Sequence, residues 1–169
     1  MLAYRGGDAR AFETLYRRHR GPLFRFILRS LKQRAAAEEL FQEAWMRVVE
    51  ARRRYEAQAR FTTWLYTIAH NVLVDHWRGK GLTLVDLDSA PEVQSADNPA
   101  RQAEAREALH RLLRAIDALP PAQREAFLLH EEAGMSVADI AAVTKTGEEA
   151  AKSRLRYAMA KLRAALDDD

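Results

Sequence analysis

An all-helical protein of two small domains joined by a flexible acidic linker is the fold the sequence predicts, and three observations predict it. Apolar residues recur at i, i+3, i+4 and i+7 in one stretch after another, and no stretch shows the sustained alternation of a half-buried strand. Gly and Pro number only seven and five in 169 residues, so little of the chain is reserved for turns. Charge is unevenly divided: residues 1–80 carry 16 Lys/Arg against 8 Asp/Glu, residues 81–99 four acids and no base, and residues 100–169 carry 11 against 12. A basic front, an acidic middle and a near-neutral back set the expected boundaries at 1–80, 81–99 and 100–169, and a polyanion suits the first module.

The same totals exclude several classes. No run of about 18 apolar residues offers a membrane span, and no charged start with an apolar centre reads as a signal peptide, so the cytoplasm is the expected compartment. The absence of cysteine rules out disulfides and thiolate metal sites. His19, His70, His76, His110 and His130 are scattered, and His70 and His76 fall on different helix faces. With no H-x-x-x-H, no carboxylate pair and no glycine-rich phosphate loop, neither an enzyme nor a metal or cofactor protein is expected.

Along the first module, Gly6-Gly7 is expected to stop any opening helix, and Asp8 to cap the next one. Phe12, Leu15, Tyr16 and His19 mark a helix face that Leu23, Phe24, Ile27, Leu28 and Leu31 continue beyond Gly21-Pro22, where Pro22 should break or kink the run. Arg17, Arg18, Arg20, Arg25 and Arg29 make a basic face, open to solvent or to phosphate. In a helix near 36–51, Phe41, Trp45 and Val48 form a core stripe with Leu40 and Ala44 beside it. Glu39, Gln42, Glu43, Met46 and Glu50 share another face. An acidic strip on a basic module cannot serve DNA; it is either a solvated face or a docking surface for a basic protein. The loop RRRYEAQAR, from Arg52 to Arg60, brings arginines beside Tyr55, which either anchors the loop or helps hold a base turned out of its stack.

The stretch FTTWLYTIAHNVLVDHWR, residues 61–78, has an apolar stripe of Phe61, Trp64, Leu65, Ile68, Ala69, Val72 and Leu73. Its other face carries Thr62, Tyr66, His70, Asn71, Asp75, Trp77 and Arg78, where a plain amphipathic helix would show Glu and Lys. Asn reads base edges, aromatic rings stack on bases and Arg suits phosphate, although aromatics at helical spacing also belong in cores. Gly79-Lys80-Gly81 ends this helix. The linker that follows holds two Pro and acids without bases, and its Leu82, Leu84, Val85 and Leu87 are too few for a core.

In the second module Leu109, Leu112, Leu113, Ile116 and Leu119 make one helix face, ended by Pro120-Pro121. Phe127, Leu128 and Leu129 anchor a second helix that stops near Gly134. Ser136 with Asp139 forms a capping box for VADIAAVT, whose core positions are Val137, Ile140, Ala141 and Val143. A turn around Lys145-Thr146-Gly147 leads to a long helix with Ala151, Leu155, Ala158, Leu162 and Leu166 facing inward. Lys152, Ser153, Arg154, Arg156, Lys161 and Arg163 lie outside that stripe, which describes a helix-turn-helix with a basic second helix.

Taken together and in order, these motifs resemble an extracytoplasmic-function (ECF, group 4) sigma factor of bacterial RNA polymerase. AEELFQEAWMRVV resembles the family's helix that docks on the polymerase clamp, FTTWLYTIAHNVLVDHWR its −10 reading helix, and LPPAQREAFLLHEEAGMSVADIAAV with KSRLRYAMAKLR its −35 reading helix-turn-helix. The resemblance implies that 1–80 is a region 2-like domain and 100–169 a region 4-like domain. It implies that Glu38, Glu39, Gln42 and Glu43 contact core polymerase, whose clamp helices and flap are the partners. Asn71 would read a flipped −10 base with Tyr55 and Arg60 beside it, and Lys152, Ser153, Arg154 and Arg156 would meet the −35 major groove. Double- and single-stranded promoter DNA and an anti-sigma factor are the other implied partners, with no catalytic residue, metal, cofactor or membrane insertion of its own. Lys145 stands where the family has a turn glycine, so the turn is reshaped around Gly147 or strained at Lys145. The alternative, a stand-alone helix-turn-helix regulator, leaves the acidic strip and the Asn71 helix unexplained.

Overall fold

A computed structural model describes residues 1–79 and 101–167. The chain forms α1 (Leu2–Arg5), α2 (Ala9–Leu31), α3 (Arg34–Glu50), a 3-10 turn (Arg52–Arg54), α4 (Phe61–Gly79), α5 (Arg101–Asp117), α6 (Pro121–Ala133), α7 (Val137–Thr144) and α8 (Glu148–Asp167). No strand occurs among the described residues. Lys80, the linker 81–99 with its apolar and acidic residues, and the tail residues Asp168 and Asp169 lie outside them.

Helices α2, α3 and α4 pack together around Leu23, Phe26, Ile27, Val48, Leu65 and Leu73. Asp8 caps α2 as its side-chain Oδ1 accepts from the backbone N–H of Arg10 at 2.9 Å and of Ala11 at 3.3 Å. Before it, Gly7 sits at φ 106, a conformation a side chain would resist, and closes α1 after four residues. Helix α2 then runs unbroken through Pro22, against the expected break. Two local reasons combine. Gly21 carries no Cβ to meet the proline ring, and Leu23, Phe26 and Ile27 just beyond are fully buried, so packing outweighs the lost amide bond.

Helices α5 to α8 build the second bundle, with Leu129 of α6, Ile140 and Val143 of α7, and Ala151, Ala158 and Leu162 of α8 at its centre. Leu109 and Leu166, expected in the core, are 51% and 41% exposed. Leu166 lies at the C-terminal end of α8, and Leu109 at the middle of α5. Arg124, at 3% exposure, ties the end of α5 to α6: its guanidinium donates to the carbonyls of Ile116, Asp117 and Leu119.

The two bundles also pack on each other, α2 against α6 and α4 against α7. This contact overturns the expectation that α4 has one buried face. Tyr66, His70 and Trp77 on the supposed outer face are buried, and so is Thr63 beside them. Tyr66 meets Phe26 edge-on at 5.2 Å, while His70 and Thr63 bond to the second bundle. Polar and aromatic residues stand there because that face lies between helices, where tips need partners and rings supply area.

Candidate nucleic-acid and polymerase interfaces

Helix α3 presents its acidic strip outward. Glu38, Glu39 and Gln42 are exposed and Glu43 is half-buried. Apolar surface interleaves them, with Met46 58% and Val49 40% exposed. Arg34 pairs with Glu38 at 2.9 Å, and Arg47 bridges Glu43 to Asp75 of α4, at 3.0 Å from the latter. These pairs are solvent-accessible and weak, so a basic partner displaces them at little cost.

The −10 candidates are placed unequally. Asn71 is half-buried on α4, and its Oδ1 accepts a hydrogen bond from Lys145 Nζ at 3.0 Å. Arg60 is exposed at the end of the loop before α4. Tyr55 keeps only 4% of its surface, packed edge-on to Trp64 at 4.9 Å and near Phe61 at 6.5 Å. Its carbonyl also accepts from Arg5 Nη1 at 2.8 Å. That is the loop-anchor role; a ring so covered offers no face for a base to stack on. Burial holds the Tyr66 phenol far above its usual range, Glu132 adding to the shift and Arg25 opposing it, so it stays protonated.

The helix-turn-helix is built as the capping signals indicate. Gly134 ends α6 at φ 61. The Ser136 hydroxyl accepts from the Asp139 amide while the Asp139 carboxylate accepts from the Ser136 amide and hydroxyl. Of the two turn geometries open to the sequence, the chain takes the strained one, with Lys145 left-handed at φ 54 and ψ 45. On α8, Lys152 and Arg156 are exposed, whereas Ser153 and Arg154 are half-buried. Arg156 lies over the ring of Tyr157 at 5.0 Å, and that ring is 52% exposed. The sequence reading passed over Tyr157; its signal was an aromatic outside the inward stripe of a basic helix.

Asp139 links cap and interface, since Thr63 Oγ1 of α4 donates to its Oδ1 at 3.1 Å. The Ser136 hydroxyl chiefly holds its carboxyl below the ordinary value of 3.8; burial opposes this, and the Ser136 amide, Thr63 and the Arg60 charge support it. A depressed carboxyl stabilises the fold fully above its unfolded value and less as pH falls through the folded one. The urea midpoint is therefore expected to fall in acid more for the wild type than for Asp139→Asn, their gap closing as pH falls from the ordinary carboxyl value through the lower folded one.

Four more polar contacts cross between the bundles. His70 Nδ1 meets Glu125 Oε1 at 2.6 Å with both residues buried. Arg25 binds both carboxylate oxygens of Glu132 at 2.9 and 3.1 Å, and Lys32 Nζ donates to the Asp117 carbonyl at 3.0 Å. Lys145 on Asn71 completes the set. Glu125, Glu132 and the contact of Lys145 with Asn71 escaped the sequence reading because partners 55 to 107 residues apart leave no periodic trace.

The sequence model of sigma-70 region 2 matches residues 15–83, and that of sigma-70 region 4 matches residues 109–162. The RNA polymerase sigma factor CarQ of Myxococcus xanthus is 34% identical over 99% of this chain and 96% of its own length. The ECF RNA polymerase sigma factor SigC of Mycobacterium tuberculosis is 31% identical over 96% of this chain and 87% of its own. Among solved structures, the sigma factor RpoE of Bartonella quintana, crystallised with the anti-sigma factor NepR, superposes with a TM-score of 0.74. It is 25% identical, with coverage of 95% of this chain and 99% of that one. CnrH, solved with the cytosolic domain of CnrY, shares the fold at a TM-score of 0.72 and 24% identity, over 99% of this chain and 95% of that one. The order of the elements, both region matches and full-length relatives agree: the chain belongs to the ECF sigma factors, which direct promoter-specific transcription initiation.

Proposed function

We propose that this sigma factor docks on core RNA polymerase through Glu38, Glu39, Gln42 and Glu43, the clamp helices being the basic counterpart and the flap receiving the second module. The supporting observation is the acidic strip of α3, outward-facing and interleaved with exposed Met46 and Val49 on an otherwise basic module. Asn71, aided by Arg60, captures a −10 base from the non-template strand as the duplex opens, and Tyr55 anchors the loop that carries Arg60. Lys152, Ser153, Arg154 and Arg156 meet the −35 major groove, the exposed Lys152 and Arg156 best placed for phosphates and guanine edges. The three segments 1–80, 81–99 and 100–169 act as −10 module, linker and −35 module.

The protein performs no chemistry itself; the polymerase does. An anti-sigma factor is the natural regulator, since the solved structure of RpoE contains such a partner. No helix among the described residues is long and apolar enough to cross a membrane, and the cytoplasm, where polymerase and promoter meet, is the working compartment.

The test is promoter selection from a DNA library at fixed salt, because phosphate contacts make affinity steeply salt-dependent. Selection of a two-part site only with core polymerase, lost in Asn71→Ala and in Glu39→Lys/Glu43→Lys, is the expected result. Tight selection by the chain alone, indifferent to those changes, would overturn the proposal.

A further inference from the structure

We propose that α1 buttresses the base-reading loop: Arg5 and Tyr4 are positioning residues that set where the stretch from Tyr55 to Arg60 meets the −10 element, without touching DNA themselves. The inference rests on the −10 assignment above and goes beyond it to what holds that loop in place.

The loop between α3 and α4 has little structure of its own. After the 3-10 turn Arg52–Arg54 its backbone is extended at Tyr55, with φ −64 and ψ 126, and Glu56, Ala57, Gln58 and Ala59 are exposed. The turn closes weakly, since the Tyr55 amide reaches the Arg52 carbonyl only at 3.4 Å. Gln58 bonds to Glu56, amide to carbonyl at 2.9 Å and side chain to carboxylate at 2.6 Å, but both bonds stay within the loop. Its place in space is therefore set by its two ends. The Arg60 end belongs to α4, whose Trp64 amide donates to the Arg60 carbonyl at 3.2 Å. The Tyr55 end depends on α1.

Two contacts make that dependence. Arg5 Nη1 donates to the Tyr55 carbonyl at 2.8 Å across 50 residues of sequence, a charge-assisted bond. The Arg52 guanidinium lies over the Tyr4 ring, 5.0 Å from its centre, so the first residue of the turn also rests on α1. Helix α1 is itself pinned to α2. Tyr4 is buried with its ring 4.9 Å from that of Phe12, and the Asp8 amide donates back to the Ala3 carbonyl at 3.0 Å. Trp64 and Phe61 already hold the Tyr55 ring. Arg5 holds the carbonyl of the same residue, and so the peptide plane from which the chain turns toward Glu56. Ring and carbonyl together fix the direction of the loop. A guanidinium bonded to a backbone carbonyl is not aimed at a phosphate.

The chain has no cysteine, so a nitroxide on Ala57→Cys reports the loop alone, and one on Thr14→Cys of α2 serves as control; both positions are exposed. Arg5→Met should raise the mobility of the label at 57 and leave that at 14 unchanged. A good base contact discriminates by roughly tenfold to a hundredfold, and a loop free to shift loses much of that. On core polymerase, with promoters randomised at both elements, Arg5→Met should therefore lose about tenfold in preference among −10 bases and keep the wild-type −35 preference. Salt separates positioning from contact. Losing a cation that touches phosphate flattens the salt dependence of binding, whereas losing a buttress weakens binding alike at every salt. Tyr4→Leu changes no charge and should reproduce the loss of −10 preference in weaker form, and Arg5→Lys should fall between wild type and Arg5→Met. The urea midpoint of Arg5→Met should stay near that of the wild type, because Arg5 is exposed.

Unchanged mobility at 57, a flattened salt dependence, or equal loss of preference at both elements would overturn the buttress. Asn71→Ala on core polymerase separates it from the −10 assignment. If that change abolishes −10 preference while Arg5→Met leaves it intact, only the buttress fails. If Asn71→Ala changes nothing, the −10 assignment falls, and the role of α1 in reading falls with it, whatever the label shows.

Discussion

Phe26→Ala is expected to destabilise the protein by about 3–5 kcal/mol, a large part of the roughly 5–15 kcal/mol that holds a domain folded. The Phe26 ring has no solvent exposure and meets the ring of Tyr66 edge-on at 5.2 Å. Tyr66 is itself 1% exposed, so neither it nor its neighbours Leu23, Ile27 and Leu65 can move into the vacated volume without opening another gap. The loss falls on the seam between α2 and α4, and α4 carries Asn71. Promoter opening should therefore fail together with stability, whereas truncation of half-buried Phe24 should cost markedly less. Urea denaturation measures both. A loss below about 1 kcal/mol for Phe26→Ala would mean that the α2–α4 seam is not packed as described.

Arg124→Met is the second large effect, about 3 kcal/mol or more, and it should fall first on the second bundle. The C-terminal turn of a helix ends in carbonyls with no partner of their own. Arg124 reaches back across the α5–α6 turn to serve those of Ile116 and Asp117 and, at 2.9 Å, that of Leu119. Its charge also meets the negative end of the α5 dipole. Methionine fills the volume but removes all three bonds; the Ile116 carbonyl keeps the Leu119 amide and that of Asp117 keeps Lys32, so the loss falls hardest on the carbonyl of Leu119. Lysine keeps the charge but lacks the planar fork, so Arg124→Lys should lie between. All three tryptophans, Trp45, Trp64 and Trp77, are in the first bundle. In Arg124→Met, far-ultraviolet circular dichroism should therefore lose signal at a lower temperature than tryptophan emission does. Coincident and unshifted transitions would contradict this role for Arg124.

Much of the molecule was legible in its sequence because much of it obeys local rules. Helix period, the Asp8 cap, the Ser136–Asp139 capping box and the stop at Gly134 depend on residues within a few positions of each other, and all appear in the structure. The acidic strip was legible too, since three- and four-residue spacing on α3 determines which side chains share a face. Even the strain at Lys145 was foreseeable as one of two outcomes, because only one residue type suits a left-handed turn without cost.

Where several elements compete for one side chain, local rules ran out. Pro22 should interrupt a helix, yet burial of Leu23, Phe26 and Ile27 keeps α2 continuous through it, and that burial comes from α3, α4 and α6, the helices packed on α2. Tyr55 lies in a basic loop suited to nucleic acid, but Trp64 and Phe61 arrive from α4 to cover its ring. Tyr66, His70 and Trp77 looked like an outer face because a helix drawn alone has one. By itself the sequence determined the helices from α2 onward, the caps at Asp8 and Ser136, the stop at Gly134, the order of the elements and so the family. Only the tertiary structure decided that α4 is enclosed on nearly all sides, since Glu125, Asp139 and Lys145 reach it from a bundle more than 50 residues away, and no period in a sequence records a contact made through space.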